Sequence, residues 1–152
     1  MNKIKSIDEM FKYLDSINDT EYLRYDDCKM HSYCNVDWYE KILEKVLNLE
    51  EKPKRVVDIG SNMNQYAYLF ENKGIDYIGI DLWNSTRGMK PYESEHSKFI
   101  GARYEDINEF FKDDVIISCL CVNYLVNAKD VKAKHLIIND ILDGKPCAKI
   151  LW

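Results

Sequence analysis

Long apolar runs and clusters of basic residues are both missing from this 152-residue chain. Nowhere do about 18 apolar residues follow one another, as a membrane-spanning helix requires, and the first residues lack the apolar core of a signal peptide. The formal net charge is -5, so the composition offers no positive surface for a phosphate backbone or an anionic membrane. We therefore predict a cytoplasmic protein with neither a nucleic-acid nor a membrane partner.

A regular cysteine pattern is missing as well. The five cysteines are odd in number and have no repeating spacing, which favours reduced thiols over a disulfide framework. Cys28, His31 and Cys34 stand at three-residue intervals and allow a zinc hypothesis. Structural zinc needs four ligands, usually in two tight pairs, and no second pair follows nearby. We therefore expect no bound metal.

The first third of the chain has helical patterning. Ser6 and Glu9 form a capping-box pattern, and the helix that follows has its apolar face at Ile7, Met10, Phe11 and Leu14. A second helix is predicted over 36–49, with Asn35 as its N-cap and a buried stripe of Trp38, Ile42, Val46 and Leu49. We interpret residues 18–35 between them as an ordered loop. With 46% hydrophobic residues, the chain fits a single domain over 1–152, in which a helical extension at 1–52 precedes a core at 53–152.

The core has an alternating pattern of short apolar strands and helices. Strands are predicted at 55–59, 76–81, 97–101, 114–121 and 135–140, and helices at 65–73, 104–111 and 123–134. The run "VIISCLC" is apolar throughout, which is typical of a strand buried on both faces. This pattern predicts an α/β fold with a parallel sheet of five to six strands and crossover helices.

The turn after the first strand, "RVVDIGSNMNQYAYLF", is the strongest indication of a ligand site. In an open parallel sheet the ligand crevice lies beyond the carboxyl ends of the strands, and this turn points free backbone N–H groups into it. Gly60 falls at that point, and Asn62 and Asn64 occupy the next two alternate positions. Asparagine accepts positive φ more readily than other non-glycine residues. Its side chain narrows the approach, however, which argues against a pyrophosphate and hence against a dinucleotide.

The segment "VVDIGSNMNQ", followed by "YIGIDL", resembles the class I S-adenosylmethionine-dependent methyltransferases. Asp58 and Gly60 match the start of that family's first motif, Asn62 and Asn64 depart from its glycines, and Asp81 matches the acid that ends its second strand. The resemblance covers roughly residues 53–140 and implies a Rossmann-like fold, S-adenosylmethionine as cofactor, and a ribose diol bound by Asp81, because a carboxylate can accept two hydrogen bonds in one plane. The cofactor contacts that it implies are Asp58, Gly60, Ser61, Asn62, Asn64, Asp81, Leu82, Tyr104 and Cys119.

The resemblance also frames the expected chemistry. Methyl transfer needs a nucleophile placed in line in a desolvated pocket, so a fixed catalytic cluster is not required. The segment "SCLCVNYL" lacks the two prolines of base-directed members, which favours a small-molecule substrate. Asn123 and Tyr124 are candidate substrate contacts. His96 is a candidate base on the loop 83–97, which we expect to act as a lid.

Several alternatives remain open from the sequence. Asp58 and Gly60 also suit the turn of any α/β domain, and Cys119 also suits a buried thiol. Glu105 and Asp106 could be the acid that the family carries soon after its third strand, or simply acids favoured in the first turn of a helix. The whole chain could instead be a catalytically inactive relative, truncated or degenerate, that acts as a binding or partner protein. A nucleotide-dependent oxidoreductase is a third hypothesis, which the missing glycines disfavour.

The last residues predict an incomplete sheet edge. After Asp140 there is room for one short strand, "CAKILW", beyond a turn at Gly144 to Pro146. Such a strand would leave an apolar edge that needs cover from the N-terminal helices or from another subunit. A homo-oligomer formed through this C-terminal edge is therefore a further prediction.

Overall fold

The protein folds around a six-stranded sheet with the spatial order β3-β2-β1-β4-β5-β6. The computed structural model describes residues 3–18, 36–82, 86, 88–119 and 126–152. The strands are β1 Arg55–Ile59, β2 Asp76–Asp81, β3 Ser97–Gly101, β4 Val115–Ser118, β5 His135–Leu142 and β6 Lys145–Ile150. The first five strands are parallel to one another, and β6 is antiparallel to β5. The predicted Rossmann-like α/β sheet is thereby confirmed.

In the part of the chain that the structure describes, short helices connect the strands and two longer ones precede them. The helices are α1 Ile7–Asn18, α2 Val36–Leu47, α3 Ala67–Glu71 and α4 Tyr104–Ile107, with 3₁₀ turns at Asn108–Phe111 and Ala128–Asp130. The helix predicted over 123–134 was wrong in its described part, which contains only the second 3₁₀ turn. Each helix in the described ranges is too short or too polar to reach across a bilayer.

The start of α1 shows the predicted capping interactions. The Ser6 hydroxyl accepts a hydrogen bond from the Glu9 backbone N–H at 3.2 Å, and the Glu9 carboxylate accepts one from the Lys5 N–H at 2.8 Å. The first bond satisfies an N–H group that the first helical turn leaves without a partner, and the second ties the Glu9 side chain to the residue before the Ser6 cap. The helix therefore begins where the sequence pattern placed it.

The core lies on both faces of the sheet. On one face α1, α2 and α3 bury Val56, Tyr77, Ile117 and Ile137, and on the other α4 and the 3₁₀ turns bury Val57, Ile80, Ile116 and Leu136. Neighbouring residues of one strand thus enter opposite cores, as the continuous apolar run in β4 predicted. The buried face of α2 is wider than its predicted stripe, because Tyr39 and Leu43 join Trp38, Ile42 and Val46.

A tight hairpin joins β5 to β6. Asp143 and Gly144 form its turn with φ values of 53° and 73°, and two consecutive positive φ values are typical of a type I′ turn. The strand starts at Lys145, within the segment predicted to be the turn. The N-terminal helix α2 packs against β5 and β6 and covers one face of this edge, as expected.

The outer edge of β6 has features that oppose pairing with another strand. Lys145, Pro146 and Lys149 lie along it, and lysine and proline on an edge disfavour addition of a further strand. Ile141 and Leu142 at the end of β5 are exposed by 62% and 66%. The homo-oligomer thus stays a prediction, and the exposed tip of the hairpin favours it more than the strand edge does.

Candidate functional site

The turn after β1 bends through three alternate residues of positive φ. Gly60, Asn62 and Asn64 have φ values of 82°, 54° and 57°. The Gly60 N–H donates to the carbonyl oxygen of Ile80 at 2.8 Å, which anchors the turn to the end of β2. Both asparagines therefore adopt the left-handed conformation that glycine would otherwise supply. Turns continue through residues 62–66, so α3 begins only at Ala67 and ends at Glu71. The helix is therefore shorter than the predicted range of 65–73.

Asp81 organises this turn from the end of β2. One carboxylate oxygen accepts a hydrogen bond from the Asn62 N–H at 2.8 Å, and the other accepts one from the Leu82 N–H at 2.8 Å. Each carboxylate oxygen offers two lone-pair sites. Asp81 is only partly buried, so each oxygen retains a site for a further donor, such as the two hydroxyls of a vicinal diol.

A cleft of about 340 Å³ opens beside Asp81 at the carboxyl ends of β1, β2 and β3. Its lining residues are Ile59, Gly60, Ile80, Asp81, Leu82, Ala102, Arg103, Tyr104, Glu105 and Val126. The strand order reverses between β1 and β4, and ligands of open α/β sheets bind outside the carboxyl ends at such a reversal. The volume falls in the range of small-molecule sites.

A buried polar layer lies beneath the turn. Asp58 is fully buried, and one of its oxygens, Oδ2, accepts hydrogen bonds from the hydroxyls of Tyr39, at 2.8 Å, and Tyr77. Burial raises the pKa of Asp58 to about 7, and the two tyrosine hydrogen bonds offset only part of that rise. Burial beside Asp58 likewise raises the pKa of both tyrosines, so they remain donors.

Asn64 connects the turn to the rest of the sheet. Its buried amide nitrogen donates to the carbonyl oxygens of Tyr92 at 3.0 Å and Lys98 at 3.1 Å. Its amide oxygen and the Ser61 hydroxyl fill the space above Gly79, where a Cβ atom would stand 1.8 Å and 2.5 Å from them. Gly79 is therefore glycine because the turn packs directly onto β2.

The segment that follows β2 is docked over much of its length. The hydroxyls of Tyr92, Ser94 and Ser97 all donate to the Glu71 carboxylate of α3, with distances of 2.7, 2.9 and 2.5 Å. Tyr92 is 1% exposed, and its N–H donates to the carbonyl oxygen of Met63. These contacts argue against lid motion in residues 92–97. Residues 83–85 and 87, in the first part of the expected lid, lie outside the described residues.

The structure brings most of the predicted cofactor residues together, in two layers. Gly60, Asp81, Leu82 and Tyr104 line the cleft. Asp58, Ser61, Asn64 and Cys119 lie buried beneath it, while the Asn62 side chain is exposed. Cys28, His31, Cys34, Asn123 and Tyr124 lie outside the described residues. In the described ranges, no three His, Cys, Asp or Glu side chains are placed to hold a metal ion.

His96 lies away from the cleft. It immediately precedes β3, and its Nδ1 lies 3.0 Å from Oδ1 of Asp76, the first residue of β2, which raises the pKa of His96. Asp81 ends the same strand, so a rise of about 3.3 Å per residue separates the two ends of β2 by roughly 16 Å. This position corrects the hypothesis that His96 serves as a base, because a ligand in the cleft would be out of its reach.

Sequence reasoning missed the two tyrosines that hold Asp58. Tyr77 alternates with Gly79 and Asp81 along β2, and Val57 and Asp58 of β1 pair with Ile78 and Gly79. The period of β2 could therefore have indicated that Tyr77 shares a face with Asp58. Tyr39 had no comparable signal, because the stripe of α2 was placed one residue away from it.

Comparisons with known proteins support the fold. No protein-family model matches this sequence, and no curated protein is significantly similar to it. Among solved structures, the plantazolicin methyltransferase BpumL in complex with S-adenosylhomocysteine (SAH) has a TM-score of 0.52 at 16% identity, over 89% of this chain and 62% of that protein. YjhP from E. coli has a TM-score of 0.50 at 17% identity, over 86% and 55%.

A TehB-like S-adenosylmethionine-dependent methyltransferase from Corynebacterium glutamicum has a TM-score of 0.49 at 11% identity, over 77% of this chain and 68% of that one. This chain thus spans little more than half the length of BpumL and YjhP. At these identities the likeness to BpumL and YjhP shows a shared fold. It confirms that the chain has the class I methyltransferase fold that the sequence predicted.

Proposed function

We propose that this chain is an S-adenosylmethionine-dependent methyltransferase that acts on a small molecule. One observation carries the proposal: the Asp81 carboxylate lies in a cleft at the carboxyl edge of the sheet and retains acceptor sites beside a turn of positive φ. The fold is shared with BpumL, which was solved with SAH bound. Fold alone does not fix function, so the chemistry of the cleft has to support the proposal.

The cleft residues fit the parts of this cofactor. Asp81 would accept the ribose hydroxyls, and the apolar side chains of Ile80 and Val126 offer a surface for the adenine ring. The backbone at Gly60 leaves room for the amino-acid tail, because glycine carries no side chain into the cleft. When bound, the cofactor supplies a methyl group activated by a sulfonium. The protein would orient the methyl acceptor toward the cofactor and exclude water.

The acceptor is proposed to be a small molecule. The net charge of -5 disfavours nucleic acid, and BpumL is described as a plantazolicin methyltransferase. Asn123 and Tyr124, which follow β4 in the sequence, remain the proposed acceptor contacts.

A catalytically inactive relative is the second candidate. Asn62 and Asn64 favour it, because they stand where the class I methyltransferase motif has glycines. Such a protein would bind the cofactor without transferring the methyl group. Mass spectrometry of a panel of alcohols, thiols and amines incubated with S-adenosylmethionine separates the two, since only an enzyme forms SAH together with a methylated acceptor.

The cofactor assignment is tested at Asp81. Charge-assisted hydrogen bonds contribute about 1.5 to 3 kcal/mol, so Asp81→Ala should weaken SAH binding by roughly tenfold to a hundredfold in calorimetric titration. Asp81→Asn keeps an acceptor for the Asn62 N–H and should lose about tenfold. Asp76→Ala is the matched control, because this acid lies at the other end of the same strand. An unchanged Kd in folded Asp81→Ala would remove the ribose assignment.

A further inference from the structure

Asp58 is a buried acid with no cation beside it among the residues that the structure describes. Both tyrosine hydroxyls that reach it donate to Oδ2, and Oδ1 has no hydrogen-bond partner in the described part of the chain. The groups that face it are Tyr39 from α2 and Tyr77 from β2, with Cys119 after β4 close to both tyrosines and Asp81 at the end of β2. None of these is positively charged. A buried carboxylate with this set of neighbours is strongly destabilised as an anion.

Two further oxygens without partners lie in the same buried layer. The Ser61 hydroxyl and the Asn64 amide oxygen are both buried and have no hydrogen-bond partner among the described residues. They occupy the space over Gly79, the residue that pairs with Asp58 in the sheet register. An ionised Asp58 leaves two acceptor oxygens and one hydroxyl donor in this group. Protonation of Asp58 removes the charge from its unpaired Oδ1, which lowers the cost of burying that oxygen without a partner.

Asp58 is also adjacent in sequence to residues that line the cleft. Ile59 and Gly60, which directly follow Asp58, line the cleft, and Asp81 on its wall raises the pKa of Asp58 in addition to the effect of burial. A positive charge bound in the cleft would act in the opposite direction and favour the anion. The proposed cofactor carries such a charge on its sulfonium, whereas the product SAH is a neutral thioether.

We propose that Asp58 is a proton-linked counter-charge that distinguishes the cationic cofactor from its neutral product. In the free protein a large share of the molecules hold Asp58 as the acid, and occupation of the cleft by the sulfonium releases that proton to solvent. The O–H bond of the carboxyl is the only bond broken, and the proton passes to buffer. This inference rests on the proposed function and assigns Asp58 a role in ligand discrimination beyond shaping the turn.

The sign of the pH dependence follows from this linkage. Because the cation lowers the pKa of Asp58 in the complex, S-adenosylmethionine affinity is highest above the free-protein pKa of about 7 and falls as the pH drops below it. Between about pH 7.5 and pH 6 the affinity should fall by roughly tenfold relative to that for SAH. Transfer of the methyl group would therefore leave a product, SAH, that binds more weakly than S-adenosylmethionine, which favours replacement of SAH by fresh cofactor.

The experiment compares S-adenosylmethionine and SAH by isothermal titration in phosphate and Tris at pH 7. The two ligands share the adenosine and amino-acid groups, so the difference in proton release isolates the sulfonium. Wild type should release about half a proton more with S-adenosylmethionine than with SAH, and Asp58→Asn should abolish that difference. Tyr77→Phe removes a hydrogen bond that favours the anion, so its additional release should persist to a higher pH than in wild type.

The outcomes separate the two proposals. The counter-charge is overturned if wild type releases equal numbers of protons with both ligands, or if the difference survives in folded Asp58→Asn. In either case, binding of the ligands leaves the proposed function standing. If Asp58→Asn does not fold, a Tyr77→Phe profile identical to wild type overturns it instead. Failure of both ligands to bind wild-type protein removes the proposed function and this inference together.

Discussion

Replacement of Asp58 by asparagine should change how stability depends on pH, even with no ligand present. Burial raises the pKa of Asp58 from 3.8 to about 7, so between these values the folded state binds more protons than the unfolded state. A raised pKa of this kind stabilises the folded state below about pH 4, and the stabilisation is lost as the pH rises through about 7. The difference of about 3 pKa units corresponds to about 4 kcal/mol in total.

The change in stability can be measured over a pH range that covers most of the interval between these two pKa values. Between about pH 5 and pH 8 the contribution of Asp58 to the free energy of unfolding should fall by roughly 2 to 3 kcal/mol. Asparagine has a similar shape, does not titrate, and has an amide that can donate to a neighbouring acceptor. Asp58→Asn should therefore lose less stability than wild type over this range.

Urea denaturation at both pH values, followed by circular dichroism, provides the measurement. Asp113→Asn is the control, because Asp113 is an exposed acid at the opposite edge of the sheet. Its unfolding free energy should change with pH as that of wild type does. If the curve of Asp58→Asn also runs parallel to wild type, Asp58 is ionised throughout and the account of its burial is refuted.

Two further predictions concern the packing of the turn. Asn62→Gly should leave stability within about 0.5 kcal/mol of wild type or raise it, because the exposed Asn62 has a φ of 54°. Asn64→Gly should cost roughly 2 to 4 kcal/mol, because the carbonyls of Tyr92 and Lys98 lose their donor. Equal urea midpoints for the two variants would contradict this distinction. Gly79→Ala should cost about 3 kcal/mol or more, because its Cβ would stand 1.8 Å from the Asn64 oxygen. In a double-mutant cycle Asn64→Gly should relieve part of that cost, and strictly additive effects would show that the two residues are not in conflict.

The strands could be predicted because their local signals agree with their burial. β1, β2 and β3 begin and end where the sequence placed them, since each is a short apolar run bounded by polar residues. The helices between them were less predictable. The length of α3 depends on Asn64, whose positive φ is stabilised by contacts with residues 92 and 98, and a local pattern carries no information about such distant partners.

The positions of candidate site residues could be predicted where those residues lie at strand ends, but not elsewhere. Gly60 and Asp81 each follow or end a strand, and the ends of parallel strands meet at one edge. His96 precedes β3, so the same rule places it at the opposite edge, although its position in a long polar segment suggested a loop over the cleft. Tyr39 could not be found from the sequence, because its link to Asp58 arises only when α2 packs on the sheet.

The packing of α2 on β5 and β6 has a consequence for the order in which the chain can fold. The helix is complete at Leu47, yet the strands that cover it lie on the order of 100 residues later, and contacts of such long sequence separation slow folding. On a ribosome, the part of the apolar face of α2 that packs on β5 and β6 would remain uncovered until the β5–β6 hairpin had emerged. Synthesis of this protein should therefore pass through a nascent intermediate with an exposed helix, the kind of species on which chaperones act.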